Sequence, residues 1–225
     1  MKLYADPVST TCRPVLLLIA ESDAPVEMHY IDLFKGAHKE PEYTAINPSG
    51  AVPALVDDDL HLGESSAILK YIADKIDSPA YPKDLKKRAK INAMMDWLNT
   101  GFYRDFGYGF VYPQIFPHYK HEHEIAQAAT INAGRERAKK WLNILDKDFI
   151  GPKNKFLLGD EITIADYFGA GIFSLADIVR CDLSPWPNIR RWLTNMQALP
   201  SWNKVHEDYN AKLVQPAKDA PFVMF

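Results

Sequence analysis

The rhythm of apolar and polar positions changes along this chain and separates two kinds of structure. Near the start, Lys2–Ala5 is short and strand-like, and Thr11–Ala20 is an apolar run holding Leu16, Leu17, Leu18 and Ile19. Pro14 fits only the first turn of a helix, so the pattern predicts a helix that begins at Thr10 or Thr11, with that threonine as its cap. Val26–Ile31 alternates, with Val26, Met28 and Tyr30 against Glu27 and His29, which is the period of a strand. Ala54–Val56 and Leu60–Leu62 flank Asp57-Asp58-Asp59, a hairpin signal, and Ser65–Ile76 sets Ile68, Leu69 and Ile72 at helical spacing. The predicted order is β-α-β, a loop or short helix, then β-β-α.

Pro79 and Pro82 break this pattern, and beyond them no convincing strand is found. Long helical patterns cover Leu85–Tyr112 and Glu122–Phe149, and shorter ones cover Thr163–Val179, Pro187–Leu199 and Trp202–Leu213. The tail from Gln215 carries two prolines and ends Phe222-Val223-Met224-Phe225, which predicts an extended segment whose apolar end packs back on the body. The expected division is residues 1–77, a linker 78–84, and an all-helical part 85–225.

Length and charge agree with two domains. The chain has 225 residues, more than one typical domain and too few for three. Residues 1–80 hold 6 Lys/Arg against 13 Asp/Glu, whereas the remainder holds 20 against 16, so the charge balance turns over near the proposed linker. A net charge of −3 argues against a nucleic-acid binder. No apolar run reaches the ~20 residues of a membrane span. The two cysteines, Cys12 and Cys181, form no CxxC pair, so a disulfide scaffold and a zinc ribbon are excluded and a reducing compartment fits. With no basic-then-apolar leader before the first strand, a cytoplasmic location is expected.

The most informative stretch is Asn47-Pro48-Ser49-Gly50-Ala51-Val52-Pro53-Ala54-Leu55, a turn followed by a Val-Pro pair that enters a strand directly. Proline is allowed at a strand's first residue because its missing N–H need not pair, and physics alone favours the trans form there. About ten residues later, Gly63-Glu64-Ser65-Ser66-Ala67-Ile68 opens a helix, where free N–H groups and the helix dipole favour a carboxylate and Glu64 can accept from an ammonium. Ser65 also reads as a plain helix cap. These two motifs together resemble the glutathione-site signature of cytosolic glutathione transferases. The resemblance implies an α/β plus all-α architecture, with a thioredoxin-like βαβ-ββα domain followed by a helical bundle.

The same resemblance assigns roles residue by residue. It implies a cis Pro53 that turns the backbone of Val52 toward the cysteinyl part of glutathione, with Glu64 and Ser65 on the γ-glutamyl end. Asp32-Leu33-Phe34-Lys35-Gly36-Ala37-His38-Lys39 is similar to the theta-class segment, which sets His38 and Lys39 at the glycyl carboxylate. One hydroxyl at a helix N-terminus can favour thiolate, and Ser9, Thr10, Thr11 and Cys12 are candidates, with Tyr4 behind them. Val8-Ser9-Thr10-Thr11-Cys12-Arg13 resembles the theta-class arrangement, and that likeness selects Ser9. A beta-type cysteine would fall at Thr10, and Cys12 reads as a small buried helix residue.

Beyond residue 85 the aromatic run Trp97, Phe102, Tyr103, Phe106, Tyr108, Phe110, Tyr112 is mostly core by ordinary expectation. The family builds its electrophile pocket here, which makes Tyr103, Phe106 and Phe110 expected lining residues and Arg104 a candidate near the thiol. His118, His121 and His123 have no regular helical spacing and no acidic or cysteine partner, so no metal is expected. Thr163 and Asp166 form a capping box with a folding role. The implied activity is transfer of glutathione, as co-substrate, to a small hydrophobic electrophile by a homodimer. Dehalogenation, isomerisation and peroxide reduction on the same scaffold, and a non-catalytic binding role, stay open as alternatives.

Overall fold

A computed structural model describes all 225 residues. Its first third holds one mixed sheet in the order β2-β1-β3-β4. β1 (Lys2–Ala5) runs parallel to β2 (Glu27–Tyr30) and antiparallel to β3 (Ala54–Asp57), which turns back into β4 (Leu60–Leu62). Leu3 sits opposite Met28 on one side and Leu55 on the other. Leu3, Ala5 and Leu55 are fully buried, whereas Met28 and Tyr30 of the edge strand face solvent. The alternation in 26–31 therefore marks a strand, as expected, but one whose apolar face is left partly open.

Helix α1 (Cys12–Ser22) crosses from β1 to β2, α2 (Pro41–Thr44) is a single turn, and α3 (Ser65–Lys75) follows the hairpin. Ile68, Leu69 and Ile72 of α3 are all fully buried. Two expected caps differ. Thr11 precedes α1 but makes no side-chain cap, because its hydroxyl is drawn to the carbonyl of Val52. Ser65 is the first helical residue rather than the cap, and that position falls to Glu64.

Every helix or strand element after residue 80 is a helix. α4 (Leu85–Asp96) continues through a widely wound stretch, Trp97–Val111, into α5 (Tyr112–Ile115). In that stretch hydrogen bonds reach back five residues, as from Tyr112 N–H to the Gly107 carbonyl. α6 (Glu124–Ile144) runs on through Leu145–Ile150, and α7 (Ile164–Phe173) breaks at Ser174 before α8 (Leu175–Ile178). α9 (Pro187–Gln197) and α10 (Trp202–Tyr209) complete the bundle. No helix is long and apolar enough to cross a membrane.

Glycine fixes two close approaches. A Cβ on Gly134 of α6 would stand 2.3 Å from the Gly109 carbonyl oxygen, and one on Gly171 of α7 would stand 2.4 Å from Pro14 Cγ in α1. The second contact seats the helical part directly on the helix that follows the first strand, and a single contiguous core runs through both. As expected, the tail folds back. Arg180 donates to the carbonyls of Ala217 and Lys218, both at 2.8 Å, and Phe225 stacks on Phe110 with centroids 5.0 Å apart.

Candidate active site

The loop between β1 and α1 is built by Asp6. Its buried carboxylate accepts the N–H of Val8 and of Leu33, each at 3.0 Å, while its carbonyl accepts the Ser9 N–H at 3.0 Å. These bonds set the half-buried Ser9 at the mouth of α1. Ser9 Oγ accepts the Thr11 N–H at 3.3 Å and lies 3.0 Å from Thr11 Oγ1. The Thr11 hydroxyl donates to the Val52 carbonyl at 2.9 Å. Its proton is thus committed, so Ser9 is the donor within the pair and can redirect that proton toward an incoming anion. Tyr4 is held elsewhere, its ring stacked on His29 with centroids 4.8 Å apart.

The Val52–Pro53 peptide is cis. Two bonds fix its approach, one from Tyr43 Oη (2.5 Å) and one from Asn47 Nδ2 (2.7 Å), both to the Ala51 carbonyl. Glu64 has φ +62°, a left-handed conformation that non-glycine residues rarely adopt. Such outliers concentrate where function over-determines the backbone. Sequence reading had no signal for this feature. Ser65 behind it is buried at the N-terminus of the eleven-residue α3. His38 lies in a short turn, and its buried Nδ1 has no hydrogen-bond partner. Burial and the adjacent Lys39 hold its pKa below the ordinary histidine value. Lys39 itself is exposed.

A cavity of about 590 Å³ opens between these loops and the helical part. Ser9, Thr11, His38 and Val52 line one side, and Tyr103, Tyr108, Tyr112 and Leu175 line the other. Phe116, Pro117, His118 and Tyr119 fold over it from the segment after α5. Pro53, Lys39, Glu64 and Ser65 do not line this cavity.

Three expected pocket residues lie elsewhere. Phe106 and Phe110 are fully buried among Phe102, Phe173 and Phe225, and Arg104 is 65 % exposed beside Asp105. The cause is the wide winding of Trp97–Val111. A regular helix would group Tyr103, Phe106 and Phe110, whereas this one turns Tyr103, Tyr108 and Tyr112 to the cavity. Sequence reading singled out Tyr103 but passed over Tyr108, Tyr112, Phe116 and Tyr119. Only the last two fall outside the aromatic run it recognised.

The pocket's chemistry is apolar with hydroxyl donors. Tyr103 and Tyr112 share a hydrogen bond through their hydroxyls, and Tyr112 donates to Thr10 Oγ1 at 3.2 Å. Burial pushes Tyr112 up to about 12 and Tyr103 well above the ordinary tyrosine value, so both stay protonated. Burial likewise lifts the Cys12 thiol to about 12, which removes it as a nucleophile. His118 faces the cavity and His121 bonds Thr130 Oγ1 at 3.0 Å. No three His, Cys, Asp or Glu side chains converge in a metal-binding group.

A thioredoxin-like sheet domain carrying a cis proline, followed by a helical domain that closes an apolar cavity over it, defines a glutathione-transferase type of molecule. Residues 8–75 match the family described as Glutathione S-transferase, N-terminal domain, and residues 109–200 match Glutathione S-transferase, C-terminal domain. Human glutathione S-transferase theta-1 is 34% identical over 168 residues, which cover 74% of this chain and 69% of the relative. Glutathione S-transferase 2 of Anopheles gambiae is 30% identical over 201 residues, covering 88% and 90%. The apo structure of human glutathione-S-transferase T1-1 superposes with a TM-score of 0.81 at 27% identity, covering 98% of this chain and 91% of that one. The chain belongs to the glutathione S-transferase family, and its affinity is to the theta-like members.

Proposed function

We propose that the chain binds glutathione against residues 1–77, ionises its thiol with Ser9, and directs the thiolate at a hydrophobic electrophile held by residues 85–225, the two parts being joined by the linker 78–84. The observation that carries this reading is the Ser9 hydroxyl, poised as a donor at the head of α1 and linked through the Thr11 hydroxyl to the Val52 carbonyl. The Val52 N–H and carbonyl pair with the cysteinyl backbone of glutathione as an added strand does. The carbonyl's bond from Thr11 leaves its second lone pair for that contact. The unpaired His38 nitrogen and the Lys39 ammonium take the glycyl carboxylate. The free N–H groups at Ser65, with Glu64, take the γ-glutamyl end.

A donor at the sulfur and the positive end of a helix dipole both favour thiolate over thiol. Proximity in the cavity then supplies most of the remaining acceleration. A homodimer with two separate active sites and a cytoplasmic location complete the reading.

Titration calorimetry with glutathione, followed by thiolate absorbance of the bound complex against pH, tests it. Wild type is expected to bind and to hold the thiol at least about one pKa unit below its free value, whereas Ser9→Ala loses that shift. Absence of binding refutes the glutathione site. Binding with an unshifted thiol refutes the role of Ser9 alone.

A further inference from the structure

Arg13 is an unusual residue in this fold. It is fully buried, and its hydrogen-bond partners are all uncharged. Nη1 donates to the carbonyls of Val8 (2.8 Å) and Pro7 (3.3 Å), and Nη2 donates to Ser174 Oγ at 2.5 Å. The guanidinium carbon sits over the Tyr209 ring, 3.6 Å from its centroid, and Nε has no partner. A buried cation with neutral partners is costly unless something else maintains it.

Its location supplies a reason. The Val8 carbonyl belongs to the peptide unit whose N–H is that of Ser9. That unit is planar and rigid, so holding its oxygen also aims the Ser9 N–H, which bonds the Asp6 carbonyl at 3.0 Å. The other end of the guanidinium is gripped by two elements of the helical part. Ser174 sits between α7 and α8, where its hydroxyl donates to the Gly171 carbonyl at 2.6 Å and accepts from Arg13. Tyr209 ends α10 and donates to the Ser174 carbonyl at 2.5 Å. The catalytic loop is therefore bolted to the domain that holds the electrophile.

We propose that Arg13 is a positioning residue for Ser9: through the Pro7 and Val8 carbonyls it fixes the Ser9 hydroxyl relative to Ser174 and Tyr209 of the helical domain. This rests on the reading that Ser9 ionises glutathione. The titratable groups around the guanidinium are Cys12 on its own helix, Tyr103 and Tyr112 from the cavity wall, His206 and Tyr209 on α10, and Asp177 on α8. Near neutral pH the first five are uncharged, and only Asp177 opposes the cation. A mispositioned serine weakens its hydrogen bond to sulfur more than it weakens the hold on the rest of glutathione.

The test uses Arg13→Lys and the milder Ser174→Ala, each in the wild-type and in the Ser9→Ala background, reading the bound-thiol pKa, kcat and KM for glutathione. Arg13→Lys is expected to raise the thiol pKa by about one unit and lower kcat about tenfold, with KM changed less than about twofold. Ser174→Ala is expected to do the same to a smaller extent, and it decides the matter if Arg13→Lys does not fold. In the Ser9→Ala background neither substitution should move the thiol pKa further. Equal shifts in both backgrounds, or wild-type values in both variants, overturn the role of Arg13 and leave Ser9 standing. An unshifted thiol pKa in Ser9→Ala removes the Ser9 mechanism and this inference with it.

Discussion

Replacing Asp166 with alanine removes the anchor of the helical domain rather than a helix cap alone. The side chain is fully buried, and both oxygens are doubly used. Oδ2 accepts the Thr163 N–H and hydroxyl, each at 2.8 Å, which is the capping interaction expected from the sequence. Oδ1 accepts the Leu157 N–H at 2.8 Å and the Trp192 Nε1–H at 2.9 Å, tying the loop before α7 and the centre of α9 to the same carboxylate. Losing a cap costs about 1 kcal/mol. Each buried donor left without a partner adds about 1–3 kcal/mol, though neighbouring losses do not add fully. The expected destabilisation is therefore about 4 kcal/mol, well above a cap-only effect. Urea unfolding followed by tryptophan fluorescence measures it, as a fall in the midpoint with an unchanged slope. A loss near 1 kcal/mol would mean that the Leu157 and Trp192 bonds contribute nothing, and the anchoring argument would fail. Asp166→Asn, which keeps the shape and one acceptor, is expected to lose about half as much.

Two buried groups are expected to give opposing pH dependences. Burial lifts Asp166 to about 6 against an ordinary 3.8, so between pH 6 and 4 the folded state holds a proton that the unfolded state has released. This group therefore makes the protein more stable as pH falls through that window. His206, buried against Trp202, is pushed down from 6.5 to about 4. There the unfolded state takes the proton first, so its contribution is lost as pH falls from about 6.5 toward 4. His206→Phe should gain stability relative to wild type on acidification, and Asp166→Asn should lose it; parallel urea midpoints at pH 7 and pH 5 refute both. Gly134→Ala gains about 1 kcal/mol of helix propensity but drives a methyl to 2.3 Å from the Gly109 carbonyl, so a net loss of about 2–3 kcal/mol is expected by thermal unfolding. A stabilised variant would show that α6 does not pack as described.

Local pattern carried the fold a long way in this chain. The alternation and turn residues of 1–62 placed all four strands, because strand period and turn chemistry are properties of a few consecutive residues. Pro79 and Pro82 marked where strands give way to helices, and Thr163 with Asp166 announced the start of α7. The cis form of Pro53 was legible only through resemblance, since nothing local favours it.

What tertiary structure decided is which side of each element does the chemistry. The phase of the aromatic helix depends on how widely it winds under packing against α6, and that exchanged Phe106 and Phe110 for Tyr108 and Tyr112 at the cavity. The fold of Phe116–Tyr119 over the pocket, the left-handed backbone of Glu64 and the capture of the Thr11 hydroxyl by Val52 are all set by partners distant in the chain. Arg13 shows the division most sharply. Its neighbours in sequence mark the start of a helix, yet its burial beneath the Ser9 loop is created by Ser174 and Tyr209, more than 160 positions away for the first of them. Sequence determined where the elements lie, because backbone preferences are local; the partners of each side chain were settled only when distant surfaces met.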